Sequence, residues 1–240
     1  MKRITITLIS MLFALTLSAQ TTYVLLAGVS NYGTGNPEHN LQSTTRDVKD
    51  LAAVFKQFPN TKTVTITSKY ATAENITKKL NAILTLAKKN DRIFFFFSGH
   101  GGDDNMVCYQ GGLYNYGSLM KLFAKAKTDQ VYAFIDCCNA GCAKKYADDA
   151  TYTANHPMTF FLASRGEEYS KEDASLLRNG YFTQALLKGL RGMSDSNEDR
   201  AVTVSELYKY VYNEVVKINP EQHPQLVSSK DALDAVILKW

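Results

Sequence analysis

The sequence has no surplus of either charge. With Lys2 and Arg3 at the extreme N-terminus set aside, 25 basic residues face 23 acidic ones, a net charge of +2. No dense basic stripe runs along any segment. Nucleic acid therefore gains no support as a partner, because binding the phosphate backbone needs clustered Lys and Arg. Beyond residue 19 no apolar run reaches the roughly 20 residues that a membrane-spanning helix takes, so stable membrane insertion gains none either. Cysteine is sparse: Cys108, Cys137, Cys138 and Cys142. The last three crowd together in a spacing that is not a zinc pattern, and no His-x3–5-His run accompanies them. A chain of this size does not need disulfide staples, although a Cys108–Cys142 bridge would suit an exported protein. Internal repeats and low-complexity linkers are missing as well.

What is present begins with residues 1–19. Lys2 and Arg3 precede an apolar stretch around Ile9–Leu17, and the small residues Ser18 and Ala19 follow. That order is the pattern of a secretory signal peptide, with cleavage expected after Ala19 and export to the periplasm or beyond. No cysteine follows the stretch, so a lipid anchor there is not expected. Residues 20–240 then form one domain. Its 45% apolar content is enough for a sizeable core and argues against disorder.

Apolar runs and helical patterns alternate along this domain. Strands are predicted at "TYVLLAG", "KTVTITS", "DRIFFFFS", "QVYAFIDCC" and "MTFFLAS", and "ALDAVILK" reads as a final strand or an extended tail. Helices are predicted over Thr44–Phe58, after Thr72, at "YGSLMKLFAKAK", at "YFTQALLKGLRG" and at "TVSELYKYVYNEVVKIN". Strands that are apolar throughout, interleaved with helices, predict an α/β fold with a mostly parallel sheet covered on both faces. Irregular segments follow the strands at 101–116, 143–158 and 166–179. In open α/β sheets, ligands bind beyond the carboxyl ends of the strands.

Two strand ends carry chemistry. "IFFFF" leads through Ser98-Gly99 to His100, and "VYAFI" leads through Asp136 to Cys137 and Cys138. If the strands are parallel neighbours, a thiol and an imidazole meet at one edge, as nucleophilic catalysis by cysteine requires. The glycines beside His100 allow close backbone approach, and Gly101 can supply an N–H to an oxyanion.

"FFFFSGHG" followed by "FIDCCNAG" resembles the paired motifs of the caspase-like cysteine peptidases, the caspase, metacaspase and paracaspase group. "YVLLAGVSNY", "RDVKDLAAVF" and "GYFTQALLKGL" are similar to further segments of that family. The resemblance implies a caspase-like fold with a sheet of about six strands. It implies Cys138 as nucleophile, with Cys137 in the variable position, and His100 as its partner. It is closest to metacaspases, and so implies that Asp47, Asp136 and Ser98 line the pocket for the residue before the cleaved bond. Two carboxylates there predict an endopeptidase cutting after Arg or Lys. Arg46 and Arg165 point the other way, toward an Asp-specific, caspase-type pocket. A catalytically silent binding domain is the alternative from another class. The expected partner is a peptide or protein substrate, and the chemistry requires no cofactor.

A second motif is "DSNEDRAVTVSE". Asp195, Asn197, Asp199, Thr203 and Glu206 follow calcium-loop spacing, but position six, normally Gly, is Arg200. Calcium is thus the candidate metal, and a polar loop closed by a Thr203–Glu206 capping box is the structural alternative. Lys144 and Lys145, in the loop after the cysteine strand, are candidate self-cleavage sites.

Overall fold

A computed structural model describes residues 20–147, 158–172, 179–228 and 230–239. The expected leader, 1–19, and residues 148–157 of the expected cleavable loop lie outside them. In chain order the elements are β1 (Thr22–Gly28), α1 (Thr44–Phe55), β2 (Thr61–Thr67), α2 (Ala73–Leu86) and β3 (Arg92–Ser98). A small hairpin sheet follows: β4 (Gly101–Gly102), β5 (Asn105–Val107) and β6 (Leu113–Asn115). Then come α3 (Tyr116–Phe123), β7 (Val131–Asp136), α4 (Lys144–Ala147), β8 (Met158–Leu162) and α5 (Tyr181–Lys188). The chain continues through β9 (Ala201–Thr203), α6 (Val204–Ile218), β10 (Gln225–Val227) and β11 (Val236–Lys239).

Six strands form the central sheet in the order β10-β8-β7-β3-β1-β2. All neighbours are parallel except β10, which runs against β8. The expectation of a mostly parallel six-stranded caspase-like sheet holds, but its membership differs. "ALDAVILK" forms β11, which pairs with β9 outside this sheet, and the sixth strand is β10.

β3 shows why the sheet is covered twice. Strand alternation sends Ile93, Phe95 and Phe97 to one face and Phe94 and Phe96 to the other, and all five are buried. On the first face they join Ile76, Leu80 and Ile83 of α2 and Leu119 and Phe123 of α3. On the second they join Val48, Leu51 and Phe55 of α1, with Phe182 of α5 and Val211 of α6. Each buried Phe contributes about 1.5–3 kcal/mol of transfer free energy. That burial fixes the point at which β3 leaves the core. Local signals start the helices: Thr72 accepts from Asn75 N to cap α2, and Thr203 and Glu206 form the expected capping box of α6.

Candidate active site

β3 and β7 end level with each other. Their ladder runs from Ile93 beside Val131 to Ser98 beside Asp136, and Gly99 N then donates to the Asp136 carbonyl at 3.1 Å. Two residues further, the backbone of Gly101 runs against the end of β7. A Cβ at Gly101 would overlap the Cys138 carbonyl oxygen and meet the Cys137 sulfur at 2.5 Å, so only glycine permits this approach. His100 and Cys138 consequently border one cavity. The hairpin also orients Gly101. Val107 N bonds the His100 carbonyl, which makes Gly101 and Met106 the non-hydrogen-bonded pair of β4 and β5. The Gly101 N–H therefore faces away from β5.

His100 is held on three sides. Its backbone N–H donates to the Tyr32 hydroxyl at 2.6 Å, and its ring lies 4.8 Å from the Tyr32 ring at 29°. Its Nε2 lies 2.9 Å from the His39 carbonyl oxygen. A carbonyl only accepts, so in the neutral ring Nε2 carries the proton. Nδ1 is left with the lone pair, the state a general base needs.

The two adjacent cysteines separate by direction. Cys137 is buried, with its sulfur 3.2 Å from the Tyr116 hydroxyl, and burial raises its pKa far above the ordinary thiol value. Cys138 is half-buried and borders the cavity, and its thiol donates to the Ser170 carbonyl at 3.6 Å. Burial, reinforced by the Asp136 charge, raises its pKa as well. Cys138 therefore rests as a thiol and needs a base before it can attack.

The cavity, about 40 Å³, is walled by Ser98, Asp136, Ser170, Glu172 and Gly180, with Ser43 beside them. Asp136 accepts from Ser170 Oγ at 2.7 Å, and from Thr183 Oγ1 at 2.7 Å and Thr183 N at 3.3 Å. Asp47 lies directly behind the wall. It accepts from Ser98 Oγ at 2.8 Å, Ser43 Oγ at 3.4 Å and Gly180 N at 3.3 Å. A Cβ at Gly180 would lie 2.9 Å from Asp136 Oδ2 and 3.8 Å from Asp47 Oδ2, so the two carboxylates converge on one glycine. Burial, and then the proximity of Asp136, pushes Asp47 up to about 8. Burial raises Asp136 too. Two carboxylates this close in low dielectric do not both stay charged without a cation.

Of the pocket residues expected from the resemblance, Ser98 and Asp136 line this cavity, and Asp47 lies behind it, bonded to Ser98. Glu172 was not foreseen. Its carboxylate accepts from Ser43 Oγ at 2.5 Å and from Ser43 N and Gln42 N, both at 3.1 Å, adding a third acidic group. The one signal for it was its place in the irregular segment after β8, at the functional edge of the sheet. Tyr32 and His39 left no signal, since they act through a hydroxyl and a main-chain carbonyl. Arg46 and Arg165 do not line the cavity, and Arg165 pairs with Glu168 at 3.4 Å. Lys171 borders it but points its ammonium at Glu221, 3.1 Å away.

The remaining expected residues lie elsewhere. Lys144 and Lys145 sit in α4 rather than in an open loop, and Lys145 is ion-paired with Asp104. All four cysteines are free thiols, so there is no Cys108–Cys142 bridge. In the calcium-spaced loop, Arg200 adopts φ +64°, the left-handed turn for which Gly was expected. Asp195 accepts from Asp199 N and Arg200 N, Asn197 from Asp199 N, Asp199 from Ala201 N, and Glu206 from Ser196 and Thr203. Among the described residues, no group of three His, Cys, Asp or Glu could hold a metal ion. No helix among them is long and apolar enough to cross a membrane.

A six-stranded α/β sheet with a thiol and an imidazole on adjoining strand ends defines the class of caspase-like proteins. The chain belongs to the caspase domain family of cysteine peptidases, whose family model matches residues 21–234. No curated protein matches it. It is similar to the crystal structure of protein GSU0716 from Geobacter sulfurreducens, with 18% identity and a TM-score of 0.63. That match covers 89% of this chain and 97% of the other, and it supports the fold.

Proposed function

We propose that this protein is a cysteine endopeptidase, metacaspase-like in its pocket, that cleaves after Arg or Lys. The observation that carries the proposal is the pocket wall. Asp136 and Glu172 line one small cavity beside Cys138 and Asp47 backs them through Ser98, and among the described residues Lys171, the one Lys or Arg in its lining, is paired with Glu221. An arriving guanidinium or ammonium would restore the charge that Asp47 and Asp136 cannot hold together, and Asp47 would release its proton.

The shared cavity of His100 and Cys138 supports the following reaction. His100 Nδ1 takes the Cys138 proton, and the thiolate attacks the peptide carbonyl carbon. The N–H groups of Gly101 and Cys138 bond the oxyanion. The imidazolium then protonates the departing amine, and water hydrolyses the Cys138 thioester with His100 again as base. No step needs a metal. Residues 1–19 support export, and the substrate is a peptide or protein. Fluorogenic peptides with Arg, Lys or Asp before the cleaved bond test the reading, with Cys138→Ala as control. Turnover of the Asp peptide alone would overturn the pocket assignment.

A further inference from the structure

A second, larger cavity lies at the opposite edge of the sheet, where β1 and β3 begin. It has a volume of about 310 Å³, within the range of small-molecule sites, roughly 300–1,000 Å³. Its floor is apolar: Phe94 from β3, Phe55 and Phe58 from the end of α1, and Leu238 from β11. The rings of Phe55 and Phe94 lie 4.9 Å apart, and those of Phe55 and Phe58 lie 6.2 Å apart. Two cations border this floor, Arg92 and Lys239.

Arg92 is the unusual member. It is half-buried, and burial lowers its pKa. Its Nε donates at 3.0 Å to the side-chain oxygen of Gln130, a neutral group. Among the described residues neither Arg92 nor Lys239 makes an ion pair. Asp91, the adjacent acid in sequence, is committed to Thr21 N and Lys88 N. A half-buried guanidinium without an anion is costly unless something supplies the charge. The apolar floor and the cationic rim together select a molecule with an anionic head and an apolar body.

We propose that this cavity binds an apolar monocarboxylate of the medium-chain fatty acid class, with its carboxylate on Arg92 and its chain over Phe55, Phe58 and Phe94. The site shares no lining residue with the Cys138 cavity, so this inference stands or falls separately from the peptidase reading.

Isothermal titration of the full chain with decanoate, below its micelle concentration, tests it against decanol and decylamine. One decanoate per chain is expected, binding at least tenfold more tightly than either comparator. Arg92→Gln should bring decanoate to the level of decanol while leaving decanol within twofold. If that variant melts early, the exposed Lys239→Gln carries the comparison and should weaken decanoate about threefold. Absence of saturable decanoate binding, equal binding of all three probes, or variants that leave decanoate unchanged would overturn the site.

Discussion

Ser98 and Asp136 stand opposite each other on the last rung of the β3–β7 ladder. Ser98 gives its hydroxyl to Asp47 on α1 at 2.8 Å, and Asp136 takes one from Thr183 on α5 at 2.7 Å. A single pairing register thus delivers one wall of the pocket and, two residues beyond each partner, His100 and Cys138. A slip of one residue in either strand would turn that strand's end to the wrong face.

The adjacent cysteines should behave differently. Cys138→Ala should lower peptidase activity by at least ~10³-fold with little change in melting temperature, because the nucleophile is removed from a half-buried rim. Cys137→Ala should keep the nucleophile but lower stability by about 1–2 kcal/mol, since it leaves a void beside Tyr116. Denaturant unfolding and turnover on the same samples check both.

Asp47 makes stability depend on pH with a definite sign. Its folded pKa is raised from 3.8 to about 8, so the folded state binds more protons than the unfolded chain between those values. Stability should therefore fall as pH rises through that window, and Asp47→Asn should flatten the fall. Melting temperature against pH measures it. A variant penalty equal at pH 5 and pH 8.5 would contradict the assignment.

Glu172→Gln keeps an acceptor for the Ser43 and Gln42 donors but removes a charge. The preference for Arg over a neutral residue before the cleaved bond should drop by about tenfold, through kcat/KM, on the order of one charge-assisted hydrogen bond. Unchanged selectivity would assign Glu172 to loop tethering alone.

Gly101→Ala should be poorly tolerated. The new methyl would overlap the Cys138 carbonyl and press on the Cys137 sulfur, at a cost of about 1–3 kcal/mol. Turnover should fall with it, because the displaced backbone carries the Gly101 N–H. The same substitution at Gly102, where a Cβ meets nothing within 4 Å, should cost far less.

Much of this was legible because β3 and β7 are apolar without interruption. Such runs predict buried parallel strands, and their ends mark the functional edge. The sixth strand was not: "QLV" in β10 is three residues long and half-buried, with no periodicity to read. The β4–β6 hairpin hides in glycine-rich sequence for the same reason. Arg200 shows the limit of a residue rule, since loop hydrogen bonds from Arg200 N to Asp195 and from Ala201 N to Asp199 hold it in a turn that glycine adopts freely. His39 contributes its main-chain oxygen, which every residue has, so sequence could not mark it.

The central claim is that Cys138 attacks a substrate whose Arg or Lys side chain occupies the acidic pocket. A peptide electrophile with Arg in that position, followed by peptide mapping in a mass spectrometer, tests it most directly. The account predicts one adduct, on Cys138, formed much faster than with the Asp analogue and slowed in His100→Ala and Asp136→Asn. An adduct on Cys142 instead, or equal labelling by the Arg and Asp reagents, would contradict it.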